Sequence, residues 1–175
     1  MKKKEDNLVL IIEDNIGDIR LVTEMLDKIT TFKHKRLTAE TLKDGCELIL
    51  KNELILIILD LNLPDSKGKA TFDAIIKIAE DIPVVLVSAV QDAKLSLQLI
   101  TDGAQDYIIK QEINIVQLEK SIQFAIERKK LISELQDTTQ DLKKTMSHFV
   151  NRELKMVELK KEIKDLKKEV KDIKE

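Results

Sequence analysis

The chain has one cysteine, no tryptophan, two prolines, four glycines and only 3% aromatic residues over 175 positions. The lone Cys46 excludes a disulfide framework within the chain and any zinc site built from several cysteines, which suits a reducing compartment. An excess of charge of one sign is also missing. With a net charge of -2 there is no basic field to attract DNA or RNA, and no nucleic-acid partner is expected. Long apolar runs are absent too. The opening MKKKEDNLVLII holds an apolar run of about six residues, short of the roughly 7 to 15 of a signal-peptide core, and Glu13 and Asp14 interrupt it. Nothing approaches the roughly 18 apolar residues of a membrane span. The expectation is a cytoplasmic protein with no membrane partner.

What is present is 43% apolar and 35% charged sequence. One domain takes about 100 to 150 residues, so the chain has room for a core and an appendage, and the high charge assigns the appendage to a solvated helix. Three short runs, LVLII, LILIIL and PVVLV, have the length and branching of strands buried on both faces, which points to a parallel sheet. KHKRLT reads as a more polar edge strand and DYIIK as a fifth. Amphipathic stretches at 16–29, 39–51, 67–79 and 92–101 alternate with them, giving βαβ units and a helix–sheet–helix sandwich.

After Ile113 no strand, glycine or proline occurs, and the chain reads as one helix to Glu175. Heptads with Leu135, Leu142, Phe149, Met156, Ile163 and Val170 at a place Leu131, Leu159, Leu166 and Ile173 at d, a coiled-coil pattern weakened by Thr138, Thr145 and Arg152. Met146, Val150, Leu154 and Val157 form a competing stripe. A parallel dimer would set Glu162 against Lys167 and Glu169 against Lys174, although Lys155 would meet Lys160. A homodimer through this helix is expected, with parallel order. The domains are read as 5–128 and 129–175. Glu175 carries no capping glycine, so whether it ends the natural protein stays open.

In an open parallel sheet, ligands bind beyond the carboxyl ends of the strands. Those ends carry Glu13 and Asp14, Asp60, Ser88 and Lys110. Three crowded carboxylates repel unless a cation neutralises them, and an all-oxygen set without His or Cys suits Mg²⁺. A metal holding an exposed aspartate beside a lysine is also the apparatus of phosphoryl transfer, with Asp60 as the nucleophile.

The set LIIEDN, LIILDLNLPDSKG, VVLVSA and DYIIKQ, in that order and spacing, resembles the receiver domain of two-component response regulators over Asn7 to Arg128. The resemblance implies a flavodoxin-like, doubly wound, five-stranded parallel sheet, here followed by the coiled-coil helix. It implies that Asp60 accepts a phosphoryl group from a phosphohistidine of a sensor histidine kinase or phosphotransfer protein. Asp14, Asp60 and the backbone carbonyl of Asn62 would bind Mg²⁺ directly, with Glu13 acting through water. Ser88 would bond one phosphoryl oxygen and Lys110 would neutralise another, while rearrangement at Ser88 and Tyr107 would carry the signal to the face made by the fourth helix, fifth strand and fifth helix. Gln111 stands where a proline often follows the lysine.

Output by protein contact follows from the lack of a recognisable effector segment after the receiver. The alternative is a pseudo-receiver that dimerises or scaffolds without phosphorylation. A stand-alone enzyme is not expected: aspartyl-nucleophile phosphatases commonly need a second acid two positions on, where this chain has Asn62. SHFVNREL around His148 resembles the histidine box of sensor kinases only faintly, and no nucleotide-binding region follows, so His148 reads as a surface or seam residue. His34 is read as inert and Cys46 as a partly buried structural thiol.

Overall fold

The protein is described by a computed structural model covering residues 7–31, 33–79 and 82–172, with the side chains of 162 and of 165 onward left undescribed. The expected seam residues Leu166, Val170 and Ile173, and the Glu162–Lys167 and Glu169–Lys174 pairs, lie outside the described side chains.

Elements alternate along the chain: β1 (Asn7–Ile12), α1 (Ile16–Lys28), β2 (His34–Ala39), α2 (Leu42–Lys51) and β3 (Leu56–Leu59). A two-stranded hairpin, β4 (Asn62–Leu63) and β5 (Ser66–Lys67), precedes α3 (Lys69–Ile78), β6 (Val84–Ser88), α4 (Ala93–Thr101), β7 (Asp106–Ile109) and α5 (Ile115–Asp172). Five strands form one parallel sheet in the order β2-β1-β3-β6-β7. The order turns back between β1 and β3, the switch point at which such sheets open a crevice.

The apolar runs are continuous because each strand feeds two cores, with successive side chains pointing to opposite faces. Leu10, Ile12, Ile57, Leu59, Val84 and Leu86 pack on one face with Ile49 of α2, Phe72 and Ile75 of α3 and Leu99 of α4. Val9, Ile11, Ile58, Val85, Val87 and Ile108 pack on the other with Val22 and Leu26 of α1 and Leu118 and Ile122 of α5. The layers approach closely at Gly45, where an added Cβ would lie 2.7 Å from Cδ1 of Ile12.

Local chemistry sets the helix starts. Asn15 Oδ1 accepts the N–H groups of Gly17 and Asp18, Thr41 Oγ1 accepts that of Asp44, and Asp92 Oδ1 accepts those of Lys94 and Leu95. The expected helix at 39–51 therefore begins only at Leu42, since Ala39 completes β2 and Thr41 is the cap. Gly68 caps α3 at φ 60°, ψ -136°, a conformation open to glycine.

Contacts divide the chain after Lys130 into two units. The first holds the sheet and its covering helices. The second is helical through Asp172, with its described side chains exposed. No helix among the described residues is long and apolar enough to cross a membrane.

Candidate functional site

Glu13, Asp60 and Lys110 each continue a strand ladder by one step. Glu13 N–H donates to Ala39 O at 2.9 Å, Asp60 N–H to Ile12 O at 2.9 Å and Lys110 N–H to Ser88 O at 2.9 Å. The sheet thus delivers Glu13, Asp60 and Lys110 to one end as backbone extensions, beside Ser88 at the last position of β6. Asp14 is exposed, whereas Glu13 (4% exposed), Asp60 (6%) and Ser88 (0%) are buried.

Lys110 Nζ sits among the acids, 2.6 Å from Glu13 Oε2, 2.9 Å from Asp60 Oδ2 and 2.9 Å from Asp18 Oδ2. Burial alone pulls the ammonium down, but the hydrogen bonds to Asp60, Glu13 and Asp18 outweigh it and hold its pKa above the ordinary lysine value. Glu13 is pushed above its ordinary value by burial, against the hydrogen bond from Lys110. Asp18 is the functional neighbour that sequence reasoning missed. Its signal was the N-x-x-D spacing of Asn15 and Asp18, which puts an acid in the first turn of α1, beside the positive end of the helix.

The second oxygen of Asp60, Oδ1, is buried without a hydrogen-bond partner. A buried carboxylate oxygen left bare is costly, and carboxylate oxygens of Glu13, Asp14 and Asp60 all lie within 4.8 Å of one another. Three carboxylates this close together fit a hard divalent cation, and no His or Cys joins the cluster.

Asn62 opens β4 two residues beyond Asp60, paired with Lys67. Its loop is pinned on both sides. Asp65 accepts the N–H groups of Leu42 and Lys43 at 2.8 and 3.0 Å, and the buried Thr71 hydroxyl donates to Leu61 O at 2.9 Å. The β4–β5 hairpin was not among the strands read from sequence.

Ser88 Oγ accepts the N–H of Val90 at 3.3 Å, and the Tyr107 hydroxyl donates to Val90 O at 2.7 Å. Ser88 and Tyr107 are thus joined through one residue's backbone. Burial pushes the Tyr107 phenol up. All described peptide bonds are trans, the one before Gln111 included. Away from the pocket, His148 is exposed, His34 half-buried on β2, and Cys46 half-buried on α2 with its thiol pushed up by burial.

This sheet order, with three acids, a buried serine and a lysine at its carboxyl edge, is that of a receiver domain. The chain belongs to that family: the model of the response regulator receiver domain matches residues 9–123. The protein therefore carries the receiver domain of two-component response regulators. It is 31% identical over 170 residues to the Probable C4-dicarboxylate response regulator DctR of Bacillus subtilis, covering 88% of this chain and 74% of that protein. The signal receiver domain of a Luxo-type repressor from Vibrio parahaemolyticus superposes with a TM-score of 0.66 at 28% identity, over 74% of this chain and 97% of that one. A Mn²⁺-bound form of response regulator Rcp1 superposes with a TM-score of 0.56 at 25% identity, over 67% of this chain and 89% of that one. The chain spans 22%, 74% and 49% of the lengths of three curated response regulators that it matches.

Proposed function

We propose that Asp60 accepts a phosphoryl group from a phosphohistidine of a partner histidine kinase or phosphotransfer protein, with Mg²⁺ as cofactor. The observation that carries this reading is the bare, buried Oδ1 of Asp60, which faces no protein donor while Oδ2 is held by Lys110. In the transfer, a carboxylate oxygen of Asp60 attacks phosphorus and the P–N bond to the imidazole breaks. The histidine then leaves and takes up a proton.

Glu13, Asp14 and Asp60 would hold the cation, together with the carbonyl of Asn62. When bound, the cation supplies positive charge that lowers the repulsion between acids and phosphoryl oxygens. The Mn²⁺-bound Rcp1 supports a divalent ion in this kind of fold. Lys110 offers a second positive charge. Ser88 Oγ accepts from Val90, and its hydroxyl would donate to a phosphoryl oxygen. Tyr107, tied to the same residue, would respond when Ser88 moves.

In this reading the protein is a cytoplasmic switch rather than a stand-alone enzyme. Its output is protein contact, including homodimerisation through the exposed helical segment after Lys130. Weighing the intact protein after treatment with a small phosphodonor and Mg²⁺ tests the central step. A gain of about 80 Da is expected in the native chain, and none in Asp60→Ala or with chelator present. Equal masses throughout would favour the phosphorylation-independent scaffold.

A further inference from the structure

Lys110 is claimed from three sides. Its Nζ lies 2.6 Å from Glu13 Oε2 and 2.9 Å from both Asp60 Oδ2 and Asp18 Oδ2, and an ammonium has only three N–H donors. A phosphoryl oxygen carried on Asp60 is a fourth claimant, so one carboxylate must yield. The three differ in what yielding costs. Glu13 and Asp60 are buried, and a buried carboxylate that loses its cationic partner is left where water cannot replace it. The Asp18 side chain is 34% exposed, so water takes the place of the ammonium there.

Asp18 also stands apart from the cation set. The carboxylates that lie within 4.8 Å of one another are those of Glu13, Asp14 and Asp60. Asp18 belongs instead to the first turn of α1, where its N–H donates to Asn15 Oδ1 at 3.3 Å, and it reaches the reacting aspartate through Lys110. We propose that Asp18 is a positioning residue that holds the Lys110 ammonium while Asp60 is unmodified and releases it to the phosphoryl oxygen during transfer. Its carboxylate thereby sets how readily Asp60 is phosphorylated. The inference rests on the phosphoryl-transfer reading above and deepens it.

The test uses the full chain in its native form, as Asp18→Asn, as Asp18→Ala, and with each change combined with Lys110→Ala. Each protein is treated with phosphoramidate and Mg²⁺, and the gain of intact mass is followed in time. Asp18→Ala is expected to react about fivefold faster than the native chain, the upper scale for a partly exposed ion pair. Asp18→Asn should fall between them, because its amide oxygen still accepts but carries no charge. In the Lys110→Ala background the same changes should alter the rate by less than about twofold, since the residue through which they act is gone. Damage to the start of α1 would instead lower the urea midpoint and slow the reaction, the opposite sign. Labelling of the native chain with no acceleration in Asp18→Ala overturns the proposal and leaves the phosphoryl-transfer reading standing. Equal acceleration with and without Lys110 also overturns it, because a general repulsion by Asp18 needs no lysine. No mass gain in the native chain overturns both.

Discussion

Lys110 and Asp60 meet through a single carboxylate oxygen: Nζ lies 2.9 Å from Oδ2, while Oδ1 faces no donor. Lys110 contacts Glu13 and Asp60, two of the acids that would hold a cation. It therefore competes with that cation for the same acids. Lys110→Ala should bind Mg²⁺ more tightly than the native chain, and Asp14→Ala should bind it at least about tenfold more weakly, a loss of about 1.4 kcal/mol. Calorimetric titration of the three proteins measures both, and unchanged affinity in Lys110→Ala would contradict the competition.

Ser88 is fully buried and its hydroxyl oxygen accepts the N–H of Val90. Ser88→Ala should leave Mg²⁺ affinity unaltered and slow phosphorylation of Asp60 by about 100-fold, the scale of losing one donor to developing charge. Time courses of intact mass with a small phosphodonor give the rate.

Asp65 is held below its ordinary value near 3.8 by the backbone N–H groups of Leu42 and Lys43. A depressed carboxyl pKa favours the folded state above the unfolded value, and the gain is lost as pH falls through the folded value. Native protein should thus be more stable than Asp65→Asn at pH 5 to 7, and the difference should shrink below about pH 4. Urea midpoints across that range decide it; a constant gap would mean the carboxylate charge plays no part.

Gly45 faces Ile12 at a distance that an alanine Cβ would violate. Gly45→Ala should destabilise the fold by about 1 to 3 kcal/mol, less whatever helix propensity returns. Adding Ile12→Val removes the clashing Cδ1 and should recover part of the loss, so the double variant unfolds at higher urea than Gly45→Ala alone.

Phe72 is fully buried in the core shared by α2, α3 and α4. Phe72→Ala should cost about 3 to 5 kcal/mol in urea unfolding, and a cost under about 1 kcal/mol would deny it a packing role.

The strands could be read from sequence because LVLII, LILIIL and PVVLV each feed two cores, which forbids polar alternation. Their last residues could be read as a site because parallel strands must all end at the same edge. Asp18 escaped because its role is set by the distance to Lys110, 92 residues away, and not by its neighbours in the chain. The β4–β5 hairpin escaped for a similar reason, since Asp65 is fixed by the start of α2 and Thr71 by Leu61 O.

The sequence by itself determined which residue types stand at each strand end, because local periodicity and turn chemistry act between near neighbours. Only the tertiary structure decided that Lys110 bridges three acids, that one oxygen of Asp60 is left bare, and that Ser88 and Tyr107 share Val90. Those relationships depend on strand register and on the depth at which side chains are withdrawn from water, and both are properties of the packed sheet.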